Sequence, residues 1–511
     1  MFRRFHAFTS RAVVVLSLAL TGVVAPVAAA HADTPIVTEA QSWAAAMHLA
    51  QAQGNSVEVL EWHTESERVW ANADGTWTRS IWPGAQFVDE GDSNWSVVNT
   101  SLEFATDGAS VVPSNTPADI SLSAGGDSSL ASIEEVSDQQ TVLGLTFNWP
   151  TKLPTPELSG NEATYRNVSP GVDLRVAVSP HGVETFVDVH SRPVEIPADG
   201  YEVLLPLSLK GLTVQETADG GLQLRDRSGE VVSSTPPALV WDAATNPLSG
   251  DPANTVTLPT DLVTTSSGYA VSVKVPANFF DRPDVVWPVT IDPSGFIYAN
   301  ADTYVEKGYN TSNFGASTEL RVGTWDNGTH VARSLLHFDF TSGTGASLAG
   351  ATVSSAYLRL WQTYSSSCTN AAVNIRKITS GYLGTGGWSE SKSTWNNQPT
   401  INTANVVSVS DAAGYSASCP ADYLGGAETA VPVTTLIQGW ISQPSTNNGL
   451  ALTAAETGTI SWKKFASSEH DLSSKRPRLN VTYTTKPSTP TDVAVSGFAS
   501  GWTDTLTPTL S

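Results

Sequence analysis

The segments 172–178 (Val-Asp-Leu-Arg-Val-Ala-Val) and 183–189 (Val-Glu-Thr-Phe-Val-Asp-Val) flank the turn signal Pro180-His181-Gly182 in this chain of 511 residues. Both segments are short, rich in valine and bounded by turn residues, as β-strands are. Two strands joined by a tight turn pair antiparallel. Similar turn signals recur at Asp107-Gly108, Asp219-Gly220 and Ser228-Gly229. We therefore predict antiparallel sheets up to about residue 295, arranged as a β-sandwich pair or as an open, twisted all-β domain.

The start of this region is predicted to hold a short helix. Thr38 and Gln41 match a capping box, and Gly54 stands where a C-terminal cap belongs. We place this helix within residues 33–55. From residue 56 the hydrophobic period changes to two, and Asp74-Gly75 predicts a hairpin turn. Residues 56–296 are therefore predicted to form one N-terminal all-β region.

A second all-β module is predicted over residues 297–485. Its segments alternate between apolar and polar residues, as strands with one face in water do. The apolar positions include Leu320 and Val322, Leu336 and Phe338, Leu358 and Leu360, and Leu479, Val481 and Tyr483. The predicted fold class is all-β, with two β-sandwich or jelly-roll-like regions in tandem.

The second module contains a specific series of sequence landmarks. They include Ala301-Asp302-Thr303-Tyr304-Val305, Leu320-Arg321-Val322-Gly323, Arg333-Ser334-Leu335-Leu336-His337-Phe338-Asp339, Trp388-Ser389-Glu390, Thr394-Trp395-Asn396 and Arg476-Pro477-Arg478-Leu479. In this order the landmarks resemble the DNRLRE-type domain, which is also classed as carbohydrate-binding module family 96. The resemblance implies a jelly-roll-like β-sandwich of an extracellular protein that binds glycans.

The N-terminal region carries a second resemblance. It rests on Trp70-Ala71-Asn72-Ala73-Asp74-Gly75-Thr76-Trp77, Gly171-Val172-Asp173-Leu174 and Trp287-Pro288-Val289-Thr290-Ile291-Asp292-Pro293. These segments are similar to the leader region of large secreted actinobacterial wall-associated proteins, which often carry YD repeats downstream. No YD repeat occurs in this sequence. The resemblance implies an association with the cell envelope.

The first 32 residues have the pattern of a secretory signal peptide. Arg3, Arg4 and Arg11 precede an apolar run over residues 12–30, and Ala30-His31-Ala32 fits the cleavage rule for small residues. An uncleaved membrane anchor is the alternative. We predict a secreted protein, extracellular or associated with the cell wall, that has no membrane span after cleavage.

The charge of the chain restricts its partners. The formal net charge is −22, and removing residues 1–32 takes away three arginines and no acid, which leaves −25. This excess of negative charge argues against nucleic acid and anionic lipid as partners. It remains compatible with a neutral glycan, or with a local basic patch that binds an acidic glycan.

Two further features concern the second module and the C-terminal end. Cys368 and Cys419 are the two cysteines of the chain, and in an exported protein they predict one disulfide, with two free thiols as the alternative. Residues 486–511 begin as a linker rich in proline and hydroxyl groups. The rest resembles the start of an incomplete fibronectin type III or immunoglobulin-like module. We therefore expect the chain to be a fragment or a truncated relative of a longer protein.

Candidate binding residues follow from strand alternation and from the landmarks. Alternation places Arg321 opposite Leu320 and Val322, and it places Arg359 and Trp361 on the face opposite Leu358. Guanidinium groups suit the carboxylate of an acidic sugar, and aromatic rings stack on sugar rings. The candidate carbohydrate-binding residues are Arg321, Arg333, Arg359, Trp361, Trp388, Trp395 and Lys463. The alternative for each cation is a solvated strand face, and for Trp388 and Trp395 it is packing.

A structural calcium ion bound by Asp302 and Asp339 is a further hypothesis, because β-sandwich modules often hold one and calcium prefers oxygen ligands. The alternative is that both carboxylates accept hydrogen bonds at turns or strand ends. No other cofactor is predicted.

The sequence lacks the common local signatures of catalytic sites. It has no Gly-x-Ser-x-Gly, no His-Glu-x-x-His and no phosphate-binding loop. We predict that the protein is not an enzyme and that it binds polysaccharide or a cell-wall glycan. One alternative is a structural spacer, an adhesin or the leader part of a larger wall-associated or toxin-delivery protein. A second is a polysaccharide-degrading enzyme, because paired carboxylates leave no fixed spacing in sequence.

Overall fold

The computed structural model describes residues 36–91, 94–136, 142–266, 268–297, 302–339, 348, 350–381, 387–404, 406–458, 460–485, 498–499 and 502–503. The predicted signal peptide, and most of the predicted linker and incomplete module at the C-terminal end, lie outside the described residues. The chain divides into the units Met1–Val37 and Thr38–Ser511. Only residues 36 and 37 of the first unit are described. Within the described residues, no helix combines the length and apolar character needed to cross a bilayer.

The secondary structure is dominated by strands. The helices are α1 (Trp43–Gln53), α2 (Ala277–Phe280) and α3 (Thr434–Ser442), with 3-10 turns at Leu60–Trp62, Glu390–Lys392, Pro444–Thr446 and Ser473–Lys475. The strands before residue 298 are β1 (Glu39–Ala40), β2 (Val57–Val59), β3 (Glu67–Ala71), β4 (Trp77–Ile81), β5 (Phe87–Asp89), β6 (Trp95–Val97), β7 (Asn99–Phe104), β8 (Ser110–Asn115), β9 (Asp119–Ser123), β10 (Ser129–Val136), β11 (Val142–Asn148), β12 (Glu157–Ser159), β13 (Glu162–Ser169), β14 (Val172–Ser179), β15 (Gly182–Val189), β16 (Tyr201–Lys210), β17 (Thr213–Glu216), β18 (Leu222–Arg225), β19 (Val231–Thr235), β20 (Ala238–Asp242), β21 (Thr255–Leu258), β22 (Asp261–Thr265), β23 (Gly268–Val275) and β24 (Val289–Ile297). The later strands are β25 (Asp302–Lys307), β26 (Glu319–Val322), β27 (Val331–Leu336), β28 (Thr352–Arg359), β29 (Trp361–Ser365), β30 (Ala371–Ser380), β31 (Thr400–Ile401), β32 (Val407–Asp411), β33 (Asp422–Tyr423), β34 (Leu450–Thr453), β35 (Lys463–Ala466), β36 (Arg478–Thr484), β37 (Phe498–Ala499) and β38 (Trp502–Thr503).

Two large sheets enclose a first hydrophobic core. One has eight strands in the order β22-β23-β16-β11-β10-β9-β8-β7, and the other has seven in the order β12-β13-β14-β15-β24-β20-β21. Phe147, Leu174, Val187 and Val273 are among the buried residues that they share. The hairpin predicted from segments 172–178 and 183–189 is present, since β14 and β15 pair antiparallel from Val172 opposite Val189 onward. The predicted all-β fold class is confirmed.

A second core lies among three further sheets. The first, called here the groove sheet, has the order β25-β27-β34-β30-β31, with β32 also paired to β30. The second is a four-stranded sheet in the order β26-β35-β29-β33. The third, called here the joint sheet, has the order β1-β2-β3-β4-β36-β28. Buried residues from all three sheets and from α3 form this core, including Leu320, Ile375, Trp440 and Leu479.

The joint sheet contains strands from the N-terminal part of the chain, β1 to β4, and strands β28 and β36 from the second module. Strand β4 pairs antiparallel with β36, from Trp77 opposite Tyr483 to Ile81 opposite Leu479. Ser80 also donates a hydrogen bond to the side chain of Asn480 at 2.8 Å. The strands of residues 57–81 thus pack on the second core, although sequence analysis grouped them with the N-terminal region. The domain boundaries stay a prediction. The local hydrophobic period predicts a strand, but it does not specify which distant strand pairs with it.

The predicted N-terminal helix is present, but a different residue caps it. Ser42 is the N-cap of α1, and its side chain accepts a hydrogen bond from the backbone N–H of Ala45 at 3.4 Å. Thr38 lies before strand β1 instead, where its carbonyl accepts a hydrogen bond from the N–H of Glu58 at 2.9 Å. Gly54 ends the helix as predicted, in the left-handed conformation at φ 76°.

A loop from the first core region lies against the four-stranded sheet. Tyr364 donates a hydrogen bond to the carbonyl of Pro247 at 3.0 Å, and the indole N–H of Trp462 donates to the carbonyl of Ser249 at 3.1 Å. Lys464 forms an ion pair with Asp251 at 2.7 Å. Residues 247–251 therefore cover the outer face of this sheet.

The predicted disulfide is confirmed. Cys368 and Cys419 are bonded, and their Cα atoms lie 6.0 Å apart. The bridge closes a segment with a sequence separation of 51 residues that includes strands β30 to β32. In the loop-entropy model, closing a loop of this length lowers the conformational entropy of the unfolded chain and so stabilises the fold by about 4 kcal/mol.

Candidate functional site

A groove of about 420 Å³ lies on the outer face of the groove sheet. Alternation along the strands forms this face, because Leu336 and Ile375 point into the second core while Arg333 and Arg376 point outward. The groove is lined by Arg333, Arg376, Gln398, Pro399, Thr400, Ile401, Thr403, Thr453, Ala454 and Glu456. Guanidinium, amide, hydroxyl and carboxylate groups thus converge on one concave surface, as recognition of a polyhydroxylated ligand requires.

Arg333 is held rigidly in this groove. Its Nε and Nη2 atoms donate to the two carboxylate oxygens of Glu456 at 2.7 and 2.9 Å, and Nη1 donates to Gln398 at 2.9 Å. The guanidinium carbon lies 4.7 Å from the ring centroid of Trp395. A bidentate pair with an aromatic neighbour fixes the plane of the guanidinium group, so that one wall of the groove is preorganised.

Arg376 has a different environment from Arg333. Its Nε donates to the hydroxyl of Thr453 at 3.1 Å, and Nη1 donates to the carbonyl of Thr403 at 2.8 Å. These neutral acceptors position the guanidinium group without cancelling its charge. Arg376 is therefore the cation in the groove that is best suited to bind a ligand oxygen.

The two tryptophans of the segment 388–401 serve packing to different degrees. Trp388 donates its indole N–H to the carbonyl of Asn448 at 2.9 Å. Both rings are partly buried on a small apolar cluster under the segment, together with Ile401. The buried members of this cluster are Val305, Leu335, Ile378 and Ala451. Packing accounts for Trp388, while Trp395 also borders the groove through its contact with Arg333.

Asn313 fixes this segment to the rest of the module. Its side-chain amide donates to the carbonyl oxygens of Glu390 and Ser393 at 2.5 and 2.8 Å. Asn313 is buried, so these two hydrogen bonds are shielded from water. The wall of the groove that contains Trp395 is thereby attached to a rigid part of the fold.

Arg321 lies away from the groove, on the outer face of the four-stranded sheet. It forms ion pairs with Asp251 at 3.0 Å and Glu319 at 3.4 Å, and its guanidinium carbon lies 4.9 Å from the ring centroid of Tyr304. Asp251 belongs to the covering loop 247–251. The predicted binding face around Arg321 is therefore occupied by the chain itself.

Lys463 points into the protein rather than toward a ligand. It is fully buried, and its ammonium group donates to the hydroxyl of Ser365 at 3.1 Å and to the carbonyl of Asp411 at 2.5 Å. Burial lowers the pKa of Lys463 to about 8. This placement corrects the inclusion of Lys463 among the candidate ligand contacts, because no part of its side chain reaches the surface.

Arg359 and Trp361 form a separate cluster at the edge of the joint sheet. Arg359 lies 4.2 Å from the ring centroid of Tyr423 and forms an ion pair with Glu428 at 2.7 Å. Trp361 packs edge-on against Tyr423 at 4.9 Å, and the ammonium group of Lys475 lies 3.1 Å from its ring centroid. The predicted residues thus divide among several places: the groove, the four-stranded sheet, the edge of the joint sheet and the interior. Arg333 and Trp395 are in contact at the groove.

The structure gives no support to a calcium site at Asp302 and Asp339. Asp302 is fully buried and accepts hydrogen bonds from the backbone and hydroxyl of Ser468. Burial, and secondly the charge of Glu469, raise the pKa of Asp302 well above its usual value. Asp339 instead acts electrostatically on Glu67. Across the residues that the structure describes, no group of three or more histidine, cysteine or acidic side chains could hold a metal ion.

Most residues that line the groove were not among the predicted binding residues. They include Arg376, Gln398, Thr453 and Glu456. Alternation along β30 could have indicated Arg376, because it follows the core residue Ile375. Gln398 and Glu456 lie outside regular strands, where no sequence periodicity indicates the direction of a side chain.

The sequence of this part of the chain was compared with known families. Residues 294–483 match the model of carbohydrate-binding module family 96. This match confirms the resemblance found from the order of landmarks. The family 96 match includes Arg333, Arg376 and Trp395, but it excludes the hairpin β3–β4 that completes the joint sheet.

Comparison with curated proteins found similarity to very large relatives. The tRNA(Glu)-specific nuclease WapA of Bacillus subtilis subsp. natto (strain BEST195) is 26% identical over 357 residues, which cover 67% of this chain and 14% of the relative. The tRNA nuclease WapA of Bacillus subtilis (strain 168) is 25% identical over 470 residues, which cover 88% of this chain and 19% of the relative. The chain thus spans less than a fifth of the length of these relatives. The similarity suggests the predicted relation to large wall-associated proteins.

Proposed function

We propose that the protein binds polysaccharide or a cell-wall glycan without catalysis, through the groove that contains Arg333 and Arg376. The match to a carbohydrate-binding family supports glycan binding in general. The observation that carries the proposal for this groove is the placement of Arg376 beside Gln398, Thr453 and Glu456 on one concave surface.

The groove offers each of the contacts that a sugar ring requires. Arg376 and the Gln398 amide donate to hydroxyl or carboxylate oxygens, and Glu456 accepts from hydroxyl groups. Pro399 and Ile401 add apolar groups to the lining, which can contact the C–H face of a pyranose. Because Arg333 is already paired with Glu456, its main contribution is to hold the other groups in place.

Affinity electrophoresis of the whole chain through neutral, uronic-acid and wall polysaccharides tests the proposal. We expect retardation by at least one polymer, and we expect R376Q to raise its Kd about tenfold, the cost of one charge-assisted hydrogen bond. R192Q serves as the matched control, because Arg192 is an exposed arginine outside the groove.

Equal retardation of R376Q and wild type would assign binding to another surface. Failure of every polymer to retard the protein would favour a structural spacer or adhesin. Release of reducing ends or unsaturated products during incubation would instead favour a polysaccharide-degrading enzyme.

A second candidate function follows from the length of the matched relatives. We infer that the chain can serve as the leader part of a larger wall-associated or toxin-delivery protein, since it matches 14% to 19% of nucleases named WapA. This function requires no catalysis by the chain itself. Incubation of the whole chain with tRNA is expected to leave the tRNA intact, and cleavage would contradict the assignment.

Secretion to the cell envelope is also part of the proposal. It rests on the basic and apolar composition of residues 1–32 and on the cleavage signal Ala30-His31-Ala32. N-terminal sequencing of the protein recovered from the culture medium or cell wall is expected to begin at Asp33. Recovery of an uncleaved chain from the membrane fraction would favour the anchor alternative.

A further inference from the structure

The outer face of the joint sheet carries a concentration of positive charge. Its cations come from three separate parts of the chain, and several of them lie near aromatic rings. The cations are Arg68, Arg359, Lys475 and Arg478, and the rings are Trp70, Trp82, Trp361 and Tyr423. This surface is called here the arginine cluster. It lies in a protein whose formal net charge is −22.

The centre of the arginine cluster is a pair of like charges. Arg359 of β28 lies directly opposite Arg478 of β36 in the antiparallel register. Like charges placed directly opposite each other destabilise a sheet. Burial, and secondly the charge of Arg478, lower the pKa of Arg359 to about 10. Burial also lowers the pKa of Arg478, and Arg68 contributes to that shift. The fold therefore holds these guanidinium groups together at a cost in stability.

A single exposed carboxylate bridges the two arginines. One oxygen of Glu428 lies 2.7 Å from Arg359, and the other lies 3.2 Å from Arg478. The side chain of Glu428 is 46% exposed, whereas that of Arg359 is 11% exposed. The carboxylate thus lies on the solvent side of two partly buried guanidinium groups. Its two oxygens show the position and orientation in which these groups accept a planar anion.

The aromatic rings around the arginine cluster define a stacking surface on either side of this bridge. Arg478 lies 5.6 Å from the ring centroid of Trp82, and Lys475 lies 3.1 Å from that of Trp361. The guanidinium group of Arg359 contacts both the hydroxyl group and the ring of Tyr423. Cations and rings that alternate over two parts of the sheet suit an extended ligand with repeated charges better than a single small ion.

The balance of charge indicates which sign of ligand this surface accepts. Glu58 pairs with Arg68, and Glu428 pairs with Arg359 and Arg478. Four cations thus face two carboxylates, and the buried Nε atoms of Arg359 and Arg478 find no hydrogen-bond acceptor within the described part of the chain. The local surplus is positive although the whole chain is strongly negative.

We propose that the arginine cluster is a binding site for the carboxylate or phosphate groups of an anionic polymer, which enter by displacing Glu428. This site is distinct from the groove of Arg333 and does not depend on glycan binding there. Trp82 and Arg68 lie outside residues 294–483, so the complete site exists only when the N-terminal hairpin β3–β4 joins the sheet.

Titration of the whole chain with two anionic polymers tests this site. Polygalacturonate supplies carboxylates, inorganic polyphosphate supplies phosphates, and neutral pullulan controls for contacts that do not involve charge. We expect one anionic polymer or both to bind, with a Kd that rises with salt concentration. The polymer that binds identifies the source of the anion. The R359Q/R478Q variant is expected to raise this Kd about tenfold or more.

Substitution of Glu428 gives the sharpest test, because it retains every cation. If the ligand takes the place of this carboxylate, E428Q lowers the Kd of the anionic polymer about threefold or more, as expected when a competing ion pair is removed. A purely structural role predicts an unchanged or higher Kd for E428Q. This outcome would overturn the proposal even if R359Q/R478Q did not fold.

One control separates this site from surface charge in general. R192Q removes an exposed arginine elsewhere, and it is expected to change the Kd of the responding polymer less than twofold. Loss of binding in R376Q without any effect of E428Q would assign the anion to the groove.

Discussion

Arg79 and Glu67 form an ion pair that is almost completely buried beneath the joint sheet. The two side chains lie 2.5 Å apart, and Arg79 also lies 6.0 Å from the ring centroid of Tyr483. Burial raises the pKa of Glu67 to about 7, although Arg79 acts in the opposite direction. A buried charge that loses its partner is far more costly than a well-packed apolar residue. The stability of this part of the core therefore depends on both members of the pair.

The R79M variant is expected to lower the free energy of unfolding by about 3 to 5 kcal/mol at pH 7.5, because it leaves the carboxylate of Glu67 buried without its cation. The loss should be smaller at pH 5.5, where Glu67 can bind a proton. Urea denaturation at both pH values measures the difference. The R192M variant, at an exposed arginine, controls for loss of charge. A loss for R79M that is equal at both pH values would contradict this explanation.

Strand β4 is the element that joins the N-terminal hairpin to the second core. It lies between β3 and β36, so both of its edges form hydrogen bonds. Thr78 lies in the middle of β4, where its hydroxyl contacts that of Thr482 at 3.1 Å. A central strand tolerates a change of side chain better than a change of backbone.

The T78P variant is expected to destabilise the protein by about 3 kcal/mol or more, since proline removes a backbone donor from a central strand. The T78A variant loses the same hydroxyl contact but keeps the backbone N–H, and we expect it to cost about 1 kcal/mol. Thermal unfolding and limited proteolysis of both variants provide the comparison. Equal stability of the two variants would show that pairing between β4 and β36 contributes little.

The sequence predicts the strands of this protein better than it predicts their partners. The hairpins at Gly75 and Gly182 could be predicted because both strands and the turn lie within a short segment. The pairing of Trp77 with Tyr483 could not, since any strand edge with a similar alternation satisfies the local pattern. The candidate site divides in the same way. Arg333 was found from its strand, whereas the loop residue Glu456 follows no period.

Acidic residues line a cavity between the two core regions. A cavity of about 280 Å³ is lined by residues of the seven-stranded sheet and of the second module, including Glu184, Asp292 and Tyr309. Burial raises the pKa of Glu184 to about 8 and that of Asp292 to about 7. Glu306, which pairs with Arg321 at 3.7 Å, also has a pKa raised by burial to about 7.

Raised carboxyl pKa values predict how stability depends on pH. Between about pH 4.5 and 8 the folded chain binds more protons at these sites than the unfolded chain does, so the free energy of unfolding should fall as pH rises. Each carboxyl contributes up to about 1.4 kcal/mol per pH unit within its range. Burial lowers the pKa values of His337 and His470, which act in the opposite direction below about pH 6.5.

The E184Q/D292N variant isolates the carboxyl contribution, because its amides remain neutral at every pH. We expect its free energy of unfolding to exceed that of the wild type at pH 8 and to differ less at pH 5. Chemical denaturation across this range measures both curves. A difference between the two proteins that stays constant with pH would show that these carboxyls do not titrate in the folded state.

The pairing of β4 with β36 also bears on the time at which the fold can be completed during synthesis. Ser80 and Asn480 form a hydrogen bond across a sequence separation of 400 residues. At a translation rate of about 5 to 20 residues per second, about 20 to 80 s pass between the synthesis of β4 and that of its partner strand β36. Throughout that interval β4 exposes an edge able to pair with other chains.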